Sequence, residues 1–324
     1  MAKRIQFNAT GGPEVLEYVD FEPAPLGPQE VRVSNKAIGL NYIDTYFRGG
    51  LYPLSSFPSG LGTEGAGVVE AVGSDVTRFQ AGDRVAYAGG PLGAYSSVHT
   101  LPATVLVKLP DAISFEQAAA VMLKGLTVQY LLRQTYQVQS GDIILFHAAA
   151  GGVGSLACQW AAALGARLIG TVSTPQKAAR AKQLGAWETI DYSHEDVAAR
   201  VLELTAGKKC PVVYDGVGKD TWETSLDCVA PRGLLVSFGN ASGAVTGVNL
   251  GILASKGSLY VTRPTLASYA TADNLQGMAD ELFGMISSGK LSVEISQRYP
   301  LGEAAKAQEE LAGRRTVGST ILLP

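Results

Sequence analysis

The sequence predicts a two-domain α/β protein, in which a mostly antiparallel β domain accompanies a doubly wound parallel sheet. Three observations support this fold class. With 324 residues the chain exceeds one hydrophobic core of ordinary size, so two domains are expected. Strand-like segments punctuated by Gly and Pro fill the first third. Strand and helix patterns then alternate from about residue 141 to 264, as in parallel strands joined by crossover helices.

The first third has the pattern of antiparallel β structure. "EVRVSNKAIG" alternates apolar and polar residues in its first half, and "GAGVVEAVG", "DRVAYAGG" and "AYSSVH" are short strand-like runs. At Ser114 the period changes, because Ser114 and Gln117 have capping-box spacing and a long helix-forming run follows. We expect this helix to connect the two domains.

The middle of the chain predicts the parallel sheet. Its apolar strands are "DIILFHA", "ARLIGTVS", "WETIDY", "PVVYDGV", "GLLVSFG" and "SLYVTRP", and helical patterns such as "TPQKAARAKQLG" and "SHEDVAARVLELTAG" lie between most of them. The terminal apolar run "GSTILLP" is expected to rejoin the sheet of the first domain. The predicted domains are therefore 1–125 with 266–324, and 126–265.

Composition excludes several classes of function. The net charge is −3 with both signs interspersed, so no basic stripe indicates nucleic acid or membrane as a partner. The first residues lack the apolar core of a signal peptide, and longer apolar runs are interrupted before they could span a bilayer. Cys158, Cys210 and Cys228 lie far apart, which indicates buried thiols rather than a disulfide framework. We expect a soluble cytoplasmic protein.

The stretch "HAAAGGVG" at residues 147–154 carries the strongest local signal. It follows an apolar strand and opens a helix, and its last six residues match the dinucleotide fingerprint G-x-G-x-x-G with Ala149 at the first glycine. Gly151 would allow backbone N–H groups to approach a pyrophosphate, and Gly154 would allow close helix–strand packing. The predicted contacts are Ala150, Gly151, Gly152, Val153 and Gly154. A tight turn without a ligand is the alternative.

The choice of dinucleotide depends on the end of the second strand of this series. A site that prefers NAD places Asp or Glu there, whereas this sequence has "TVSTPQK". Ser173 can donate a hydrogen bond to a 2′-phosphate and Lys177 can supply a compensating charge, so NADPH is the expected cofactor. The alternative for Lys177 is an ordinary solvated lysine.

Over its whole length the sequence resembles the medium-chain dehydrogenase/reductase superfamily. "GLGTEGAGVVEAVGSDV" is similar to the family signature, carried here by Gly62, Glu64, Gly67, Gly73 and Val76. "NYIDTYFRGGLYP", "FHAAAGGVGSLACQWAAALGA" and "SLYVTRP" resemble its zinc-free quinone oxidoreductase branch, the zeta-crystallin-like enzymes, which share Ala149. The resemblance implies a GroES-like catalytic domain, a Rossmann domain, a cleft for NADPH and a homodimer joined near residues 258–263.

The resemblance also implies further cofactor contacts. They are Asn41, Lys124, Thr127, Tyr130, Tyr192, Phe238, Gly239 and Asn240, with Arg263 and Arg314 as additional candidates. Tyr192 would accompany Ser173 and Lys177 at the 2′-phosphate. For the two arginines, a salt-bridged surface residue is the alternative.

The sequence argues against a catalytic zinc. Zinc-dependent relatives have Cys and His where this chain has Asn41 and Thr63, and the histidines His99, His147 and His194 lack the spacing of metal ligands. We expect each His to be a structural or surface residue, and we expect no metal site.

Without a metal, hydride acceptors that are already electrophilic remain, namely quinones and α,β-unsaturated carbonyls. Asn41 is a candidate donor, and Tyr46 and Tyr52 are candidate walls of an aromatic slot. The alternatives are turn capping for Asn41 and simple packing for the tyrosines. Asp44 is expected to be a structural carboxylate paired with a cation such as Arg48.

The predicted function is the reduction of small quinones by NADPH, either by hydride transfer or by two separate electron transfers. Reduction of enones, enals or enoyl thioesters on the same scaffold is the nearest alternative. A non-catalytic role, as a crystallin or an NADPH-sensitive RNA-binding protein, is the alternative from another class. The acidic balance argues against RNA as the principal partner.

Overall fold

A computed structural model describes residues 1–313, 315–316 and 318–324. Its strands are β1 Ala2–Phe7, β2 Glu17–Phe21, β3 Glu30–Leu40, β4 Ser59–Gly60, β5 Glu64–Val72, β6 Arg84–Ala88, β7 Val98–Pro102, β8 Leu106–Lys108, β9 Ile143–Phe146, β10 Arg167–Val172, β11 Glu188–Asp191, β12 Cys210–Asp215, β13 Val229–Ser237, β14 Tyr260–Thr262, β15 Ile295–Pro300 and β16 Ser319–Leu323. Its α-helices are α1 Tyr42–Arg48, α2 Phe115–Tyr130, α3 Gly152–Ala163, α4 Pro175–Gln183, α5 Val197–Leu204, α6 Trp222–Cys228, α7 Gly251–Ser255, α8 Leu266–Tyr269, α9 Leu275–Ser287 and α10 Ala304–Ala312.

The chain divides into two units, of which the first comprises Met1–Leu126 and Ala270–Pro324 and the second Thr127–Tyr269. Helix α2 contains the dividing position and begins with the predicted capping box. Ser114 N donates to Gln117 Oε1, and Gln117 N donates to Ser114 Oγ. The reciprocal bonds satisfy two N–H groups that the helix itself leaves without partners.

The first unit is the predicted mostly antiparallel β domain. Its seven-stranded sheet has the order β15-β16-β3-β5-β6-β8, with β7 also paired to β3, and a smaller sheet has the order β2-β1-β4. Val31 and Val33 on β3 are fully buried, as the alternating pattern predicts. The strand β16 pairs antiparallel with β3, with Thr320 opposite Leu40, so segments far apart in the sequence build one sheet.

The second unit is the predicted doubly wound sheet. Its six parallel strands have the order β11-β10-β9-β12-β13-β14. Leu145, Ile169, Val213 and Leu235 are fully buried in its core, which explains the continuous apolar runs of these strands. The strand order reverses between β9 and β12, and ligands of such sheets bind at the carboxyl ends of the strands at this switch point.

The other predictions that the fold tests concern cysteine and membranes. Cys158, Cys210 and Cys228 are buried free thiols, as predicted. No helix among the described residues is long and apolar enough to cross a membrane.

Candidate functional site

The glycine-rich loop connects β9 to α3 at the switch point of the second unit. A Cβ atom at Gly154 would lie 2.4 Å from the carbonyl oxygen of Ala148 and 2.7 Å from Ala149 Cα, so only glycine allows this close packing. At Gly151, the residue before α3, a Cβ would meet only the Ala148 oxygen, at 3.2 Å. Gly154 therefore has the predicted packing role, and Gly151 leaves the approach to the helix N-terminus open.

Ala149 replaces the first glycine of the fingerprint because the neighbouring strand makes room for it. Ala149 is fully buried, and a Cβ at Gly170 on β10 would lie 2.4 Å from Ala149 Cβ. Gly170 thus accommodates the methyl group of Ala149, which accounts for the departure from the fingerprint.

The start of α3 has the donors that an anion such as a pyrophosphate requires. No side chain caps the helix at Gly151. In its first turn, the buried Ser155 Oγ has no hydrogen-bond partner among the described residues. Helix N-termini bind anions through such N–H groups and the positive end of the helix dipole. The loop therefore fits a dinucleotide. Sequence reasoning missed Ser155, although a hydroxyl directly after the last glycine was the available signal.

Ser173, Lys177 and Tyr192 lie together beyond the ends of β10 and β11. Lys177 Nζ donates to Ser173 Oγ at 3.1 Å, and Thr174 caps α4 by accepting from Lys177 N. The N–H of Tyr192 donates to the Val172 carbonyl, which places Tyr192 beside the end of β10. The structure therefore brings the three predicted 2′-phosphate residues together.

Phe238, Gly239 and Asn240 follow β13 at the same edge of the sheet. A Cβ at Gly239 would lie 2.2 Å from the Gly216 oxygen, so glycine is required there. Arg263 Nη1 donates to the Ser237 carbonyl at 2.8 Å. With the amide oxygen of Asn240 turned toward it, Arg263 Nη2 donates to Asn240 at 3.1 Å. Arg263 is therefore held by the backbone of this loop; Arg314 lies outside the described residues.

Thr127 and Tyr130 lie on α2 in the second unit. The Tyr130 ring is 3% exposed and stacks on Tyr269 at 4.8 Å between centroids. Burial raises the pKa of the Tyr130 phenol still further above neutral pH. The ring thus belongs mainly to the core, and any contact of Tyr130 with a ligand would be confined to a small part of its surface.

In the first unit, a buried carboxylate connects Asn41 and Lys124. Asn41 Nδ2 donates to Glu64 Oε2 at 2.6 Å, and Lys124 Nζ lies 3.9 Å from the same oxygen. Glu64 Oε1 accepts from Leu123 N. Burial raises the pKa of Glu64, while the Lys124 ammonium lowers it. The structure therefore fixes the Asn41 amide through Glu64. The sequence identifies Glu64 only as part of the family signature.

Tyr46 and Tyr52 form an aromatic cluster with two further rings. The ring centroids of Tyr46 and Tyr52 are 5.4 Å apart, and Tyr42 and Phe47 make similar edge contacts with Tyr46 and Tyr52 respectively. Both predicted tyrosines are half-buried, and Tyr52 N donates to the Tyr46 carbonyl. The structure thus brings the two predicted slot residues together and adds Tyr42, one helical turn before Tyr46.

Asp44 is the structural carboxylate that the sequence predicts, but the predicted pairing with Arg48 is wrong. Asp44 Oδ2 accepts from Asn41 N and from Tyr95 Oη, both at 2.8 Å, whereas Arg48 Nη1 donates to Gln308 Oε1. Burial raises the pKa of Asp44 to about 7. The partners of Asp44 Oδ2 are therefore neutral groups rather than an adjacent cation.

The histidines are placed as structural and surface residues. His99 and His147 are buried, and burial lowers the pKa of both, that of His99 to about 4. His194 is exposed beside Asp191. Within residues 1–313, 315–316 and 318–324, no group of three or more His, Cys, Asp or Glu side chains is arranged to hold a metal ion.

Comparison with known proteins identifies the family. Residues 27–111 match the alcohol dehydrogenase GroES-like domain, and residues 152–280 match the zinc-binding dehydrogenase family. The chain is 75% identical to a quinone oxidoreductase of Pseudomonas aeruginosa over 100% of both chains. It is 44% identical to a 2-haloacrylate reductase of a Burkholderia species, with 97% of this chain and 96% of that protein covered.

A solved structure gives the same result. The crystal structure of Escherichia coli quinone oxidoreductase complexed with NADPH superimposes with a TM-score of 0.97 at 60% identity, covering 99% of this chain and 100% of that one. This similarity extends over both units. The chain therefore belongs to the quinone oxidoreductase branch of the medium-chain dehydrogenase/reductase superfamily.

Proposed function

We propose that this protein is an NADPH-dependent reductase of small quinones that works without a metal. The observation that carries the proposal is the Lys177–Ser173 pair at the end of β10, beside a glycine-rich loop that fits a pyrophosphate. Full-length similarity to quinone oxidoreductases, one of them crystallised with NADPH, supports both the cofactor and the acceptor.

The second unit binds most of NADPH in this proposal. The N–H groups of residues 150–154 and the Ser155 hydroxyl hold the pyrophosphate, and Lys177, Ser173 and Tyr192 hold the 2′-phosphate. Thr127, Tyr130, the loop 238–240 and Arg263 are the further proposed contacts there. When bound, NADPH supplies the reducing equivalents, so the protein provides binding and orientation.

The first unit supplies the groups that orient the acceptor. One Nδ2 hydrogen of Asn41 is engaged by Glu64, so the rest of the amide is held in one direction for a nicotinamide or a quinone oxygen. Lys124 balances the charge of Glu64. Tyr46 and Tyr52 offer ring faces to a flat substrate and phenol groups to its carbonyl oxygens, which a quinone has on both sides.

A second candidate function is the reduction of activated alkenes conjugated to a carbonyl or carboxylate. The 44% identity to a 2-haloacrylate reductase favours it. The same amide and phenol donors could polarise such an acceptor, so the two functions differ in the substrate and share the cofactor site.

We further propose a cytoplasmic homodimer. Strand β14 is the edge of the six-stranded sheet, and its Tyr260 and Val261 side chains are 65% and 37% exposed. An apolar edge strand of this kind pairs readily with another strand, and a second copy of β14 would extend the sheet.

The decisive experiment is nicotinamide oxidation by the purified protein, with NADPH and NADH tested separately against benzoquinones, naphthoquinones, enones and 2-haloacrylates. We expect turnover of quinones with NADPH preferred. Turnover of alkenes alone would replace the proposal by the second candidate, and absence of any turnover would contradict both.

The 2′-phosphate assignment is tested by Lys177→Ala. We expect NADPH affinity to fall about tenfold, because one charge-assisted hydrogen bond is removed, while NADH affinity stays within twofold. Fluorescence titration measures both. Lys182→Ala is the matched control, since Lys182 lies on the same helix and pairs with Glu188. Equal losses for NADPH and NADH would contradict the assignment.

A further inference from the structure

The second unit contains a buried polar network that the proposed function does not use. Thr171, His147, Ser225 and Asp215 form one continuous run of hydrogen bonds, here called the His147 network. His147 Nδ1 lies 3.0 Å from Thr171 Oγ1, His147 Nε2 lies 3.0 Å from Ser225 Oγ, and Ser225 Oγ lies 2.6 Å from Asp215 Oδ2. None of the four residues is more than 3% exposed.

The hydrogen positions in the network follow from its acceptor end. Asp215 Oδ1 accepts from Val217 N and Gly218 N, and Thr221 Oγ1 donates to this carboxylate as well. A carboxylate surrounded by donors only accepts, so the Ser225 hydrogen is directed to Asp215 Oδ2. The hydrogen between Ser225 and His147 must then be on Nε2. In a neutral imidazole ring, Nδ1 then accepts from Thr171 Oγ1.

At its other end, the network holds the start of the glycine-rich loop. Thr171 Oγ1, which donates to His147, accepts from Ala148 N at 3.2 Å, and the Thr171 carbonyl accepts from Ala149 N at 3.0 Å. Ala148 has a φ of 55°, a left-handed conformation that costs an alanine free energy. Its carbonyl accepts from Gly151 N, the residue that precedes α3. Thr171 therefore holds two consecutive amides in the geometry that places the helix N-terminus.

The Asp215 end holds a second loop at the same edge of the sheet. Asp215 orders the turn at Val217 and Gly218, and a Cβ at Gly218 would lie 2.6 Å from the Gly243 oxygen and 3.3 Å from the Gly239 oxygen. The turn after β12 is thus packed on the loop after β13. The network connects the carboxyl ends of β9, β10 and β12, and through this packing the end of β13.

We propose that the His147 network positions the cofactor-binding loops, with His147 fixed as the neutral Nε2–H tautomer and Thr171 as the residue that sets the loop amides. The inference rests on the proposed function, because the ligand of these loops is NADPH. All four side chains are positioning residues, since none of them needs to touch the cofactor. Burial lowers the pKa of His147 and is consistent with the neutral ring.

The test compares two threonine-to-valine variants with matched chemistry. Thr171→Val removes a buried hydroxyl that accepts one backbone N–H and, in the proposed tautomer, donates to His147 Nδ1. Thr205→Val removes a comparable hydroxyl elsewhere in the second unit, because Thr205 Oγ1 accepts from Lys209 N and donates to the Val201 carbonyl. Both side chains are less than 5% exposed.

We expect Thr171→Val to weaken NADPH binding and to raise the KM for NADPH about tenfold, with kcat at saturating NADPH changed less than twofold. Thr205→Val should lower the midpoint of thermal unfolding and leave the dissociation constant of NADPH within twofold. If the wild-type protein binds NADPH and the two variants have equal dissociation constants, the positioning role is overturned while the proposed function stands. A wild-type protein that does not bind NADPH would overturn the proposed function and this inference with it.

The tautomer is tested without any ligand. Long-range proton–nitrogen correlation spectra of protein with nitrogen-15 histidine should show His147 protonated at Nε2 only, and His99→Gln and His194→Gln identify its signals by elimination. An Nδ1–H tautomer or a doubly protonated ring at pH 7 would overturn the assignment. Because this readout does not depend on NADPH, it separates an error in the network from an error in the function.

Discussion

Asp44 in the first unit and Asp215 in the second are both buried, with exposures of 0% and 1%, but their surroundings differ. Asp215 accepts hydrogen bonds on both oxygens from two backbone N–H groups and two hydroxyls. Asp44 accepts two hydrogen bonds on Oδ2, and its Oδ1 has no partner among the described residues. Burial raises the pKa of Asp44 to about 7.

The comparison shows that burial alone does not determine the structural role of a carboxyl group. Donors replace the water that a carboxylate loses on burial, and each oxygen without a donor favours the protonated form. The Asp215 side chain is equipped to order two loops as an acceptor. The Asp44 side chain is equipped to change its protonation state near neutral pH.

The largest effect is expected for Asp215→Asn. The new amide NH2 would face groups that donate to the carboxylate in the wild-type protein, and two donors cannot hydrogen-bond to each other. We therefore expect the free energy of unfolding of the second unit to fall by about 3 kcal/mol. Urea unfolding followed by tryptophan fluorescence measures it, because Trp160, Trp187 and Trp222 all belong to this unit. A loss below about 1 kcal/mol would break the comparison, because Asp215 would then not need two accepting oxygens for its four donors.

A smaller, pH-dependent effect is expected for Asp44→Asn. A folded pKa of about 7, well above the ordinary pKa of an aspartate, means that the folded first unit holds the proton more tightly than the unfolded chain does. The stability that this supplies is fully present below about pH 4 and is lost as the pH rises through 7. Between pH 5 and 7 the free energy of unfolding of the wild-type protein should fall by about 2 kcal/mol. That of the variant should not show this fall, because it lacks the titrating carboxyl group.

Hydrogen exchange of peptides from β3 and β5, followed by mass spectrometry at both pH values, measures this difference. The comparison reports the titration of Asp44 together with its electrostatic coupling to Glu64, whose pKa is also raised by burial. The same pH dependence in both proteins would show that Asp44 does not titrate in this range.

The smallest effect is expected for Thr221→Val. Asp215 keeps the donors Val217 N, Gly218 N and Ser225 Oγ, so we expect the second unit to lose about 1 kcal/mol or less. Tryptophan fluorescence in urea gives the value. A loss as large as that of Asp215→Asn would contradict the view that each of the four donors supplies only part of the stabilisation.

The local contacts that the sequence anticipates are formed by residues close together along the chain. The glycine-rich loop, the α2 capping box and the Ser173–Lys177 pair each lie within a few residues, where spacing and helix geometry determine the contacts. The alternation of strands and helices predicted the doubly wound sheet for the same reason.

The parts that the sequence does not predict depend on residues that are distant along the chain. Asn41 and Glu64 are separated by 23 positions, and His147 and Ser225 by 78. No periodicity relates such pairs. The sequence therefore suggests Arg48, four positions along the same helix, as the partner of Asp44, whereas the donor Tyr95 is 51 positions away. Polar partners of this kind are determined by tertiary packing.

The pairing of β16 with β3 has a consequence for the order in which the two sheets form during synthesis. Every strand of the six-stranded sheet has been made once residue 262 leaves the ribosome, and that unit is continuous in sequence. The seven-stranded sheet needs Ser319–Leu323 beside Glu30–Leu40, a pairing that closes a loop of almost the whole described chain. The second unit can therefore fold before β16 is available to pair with β3 in the first unit.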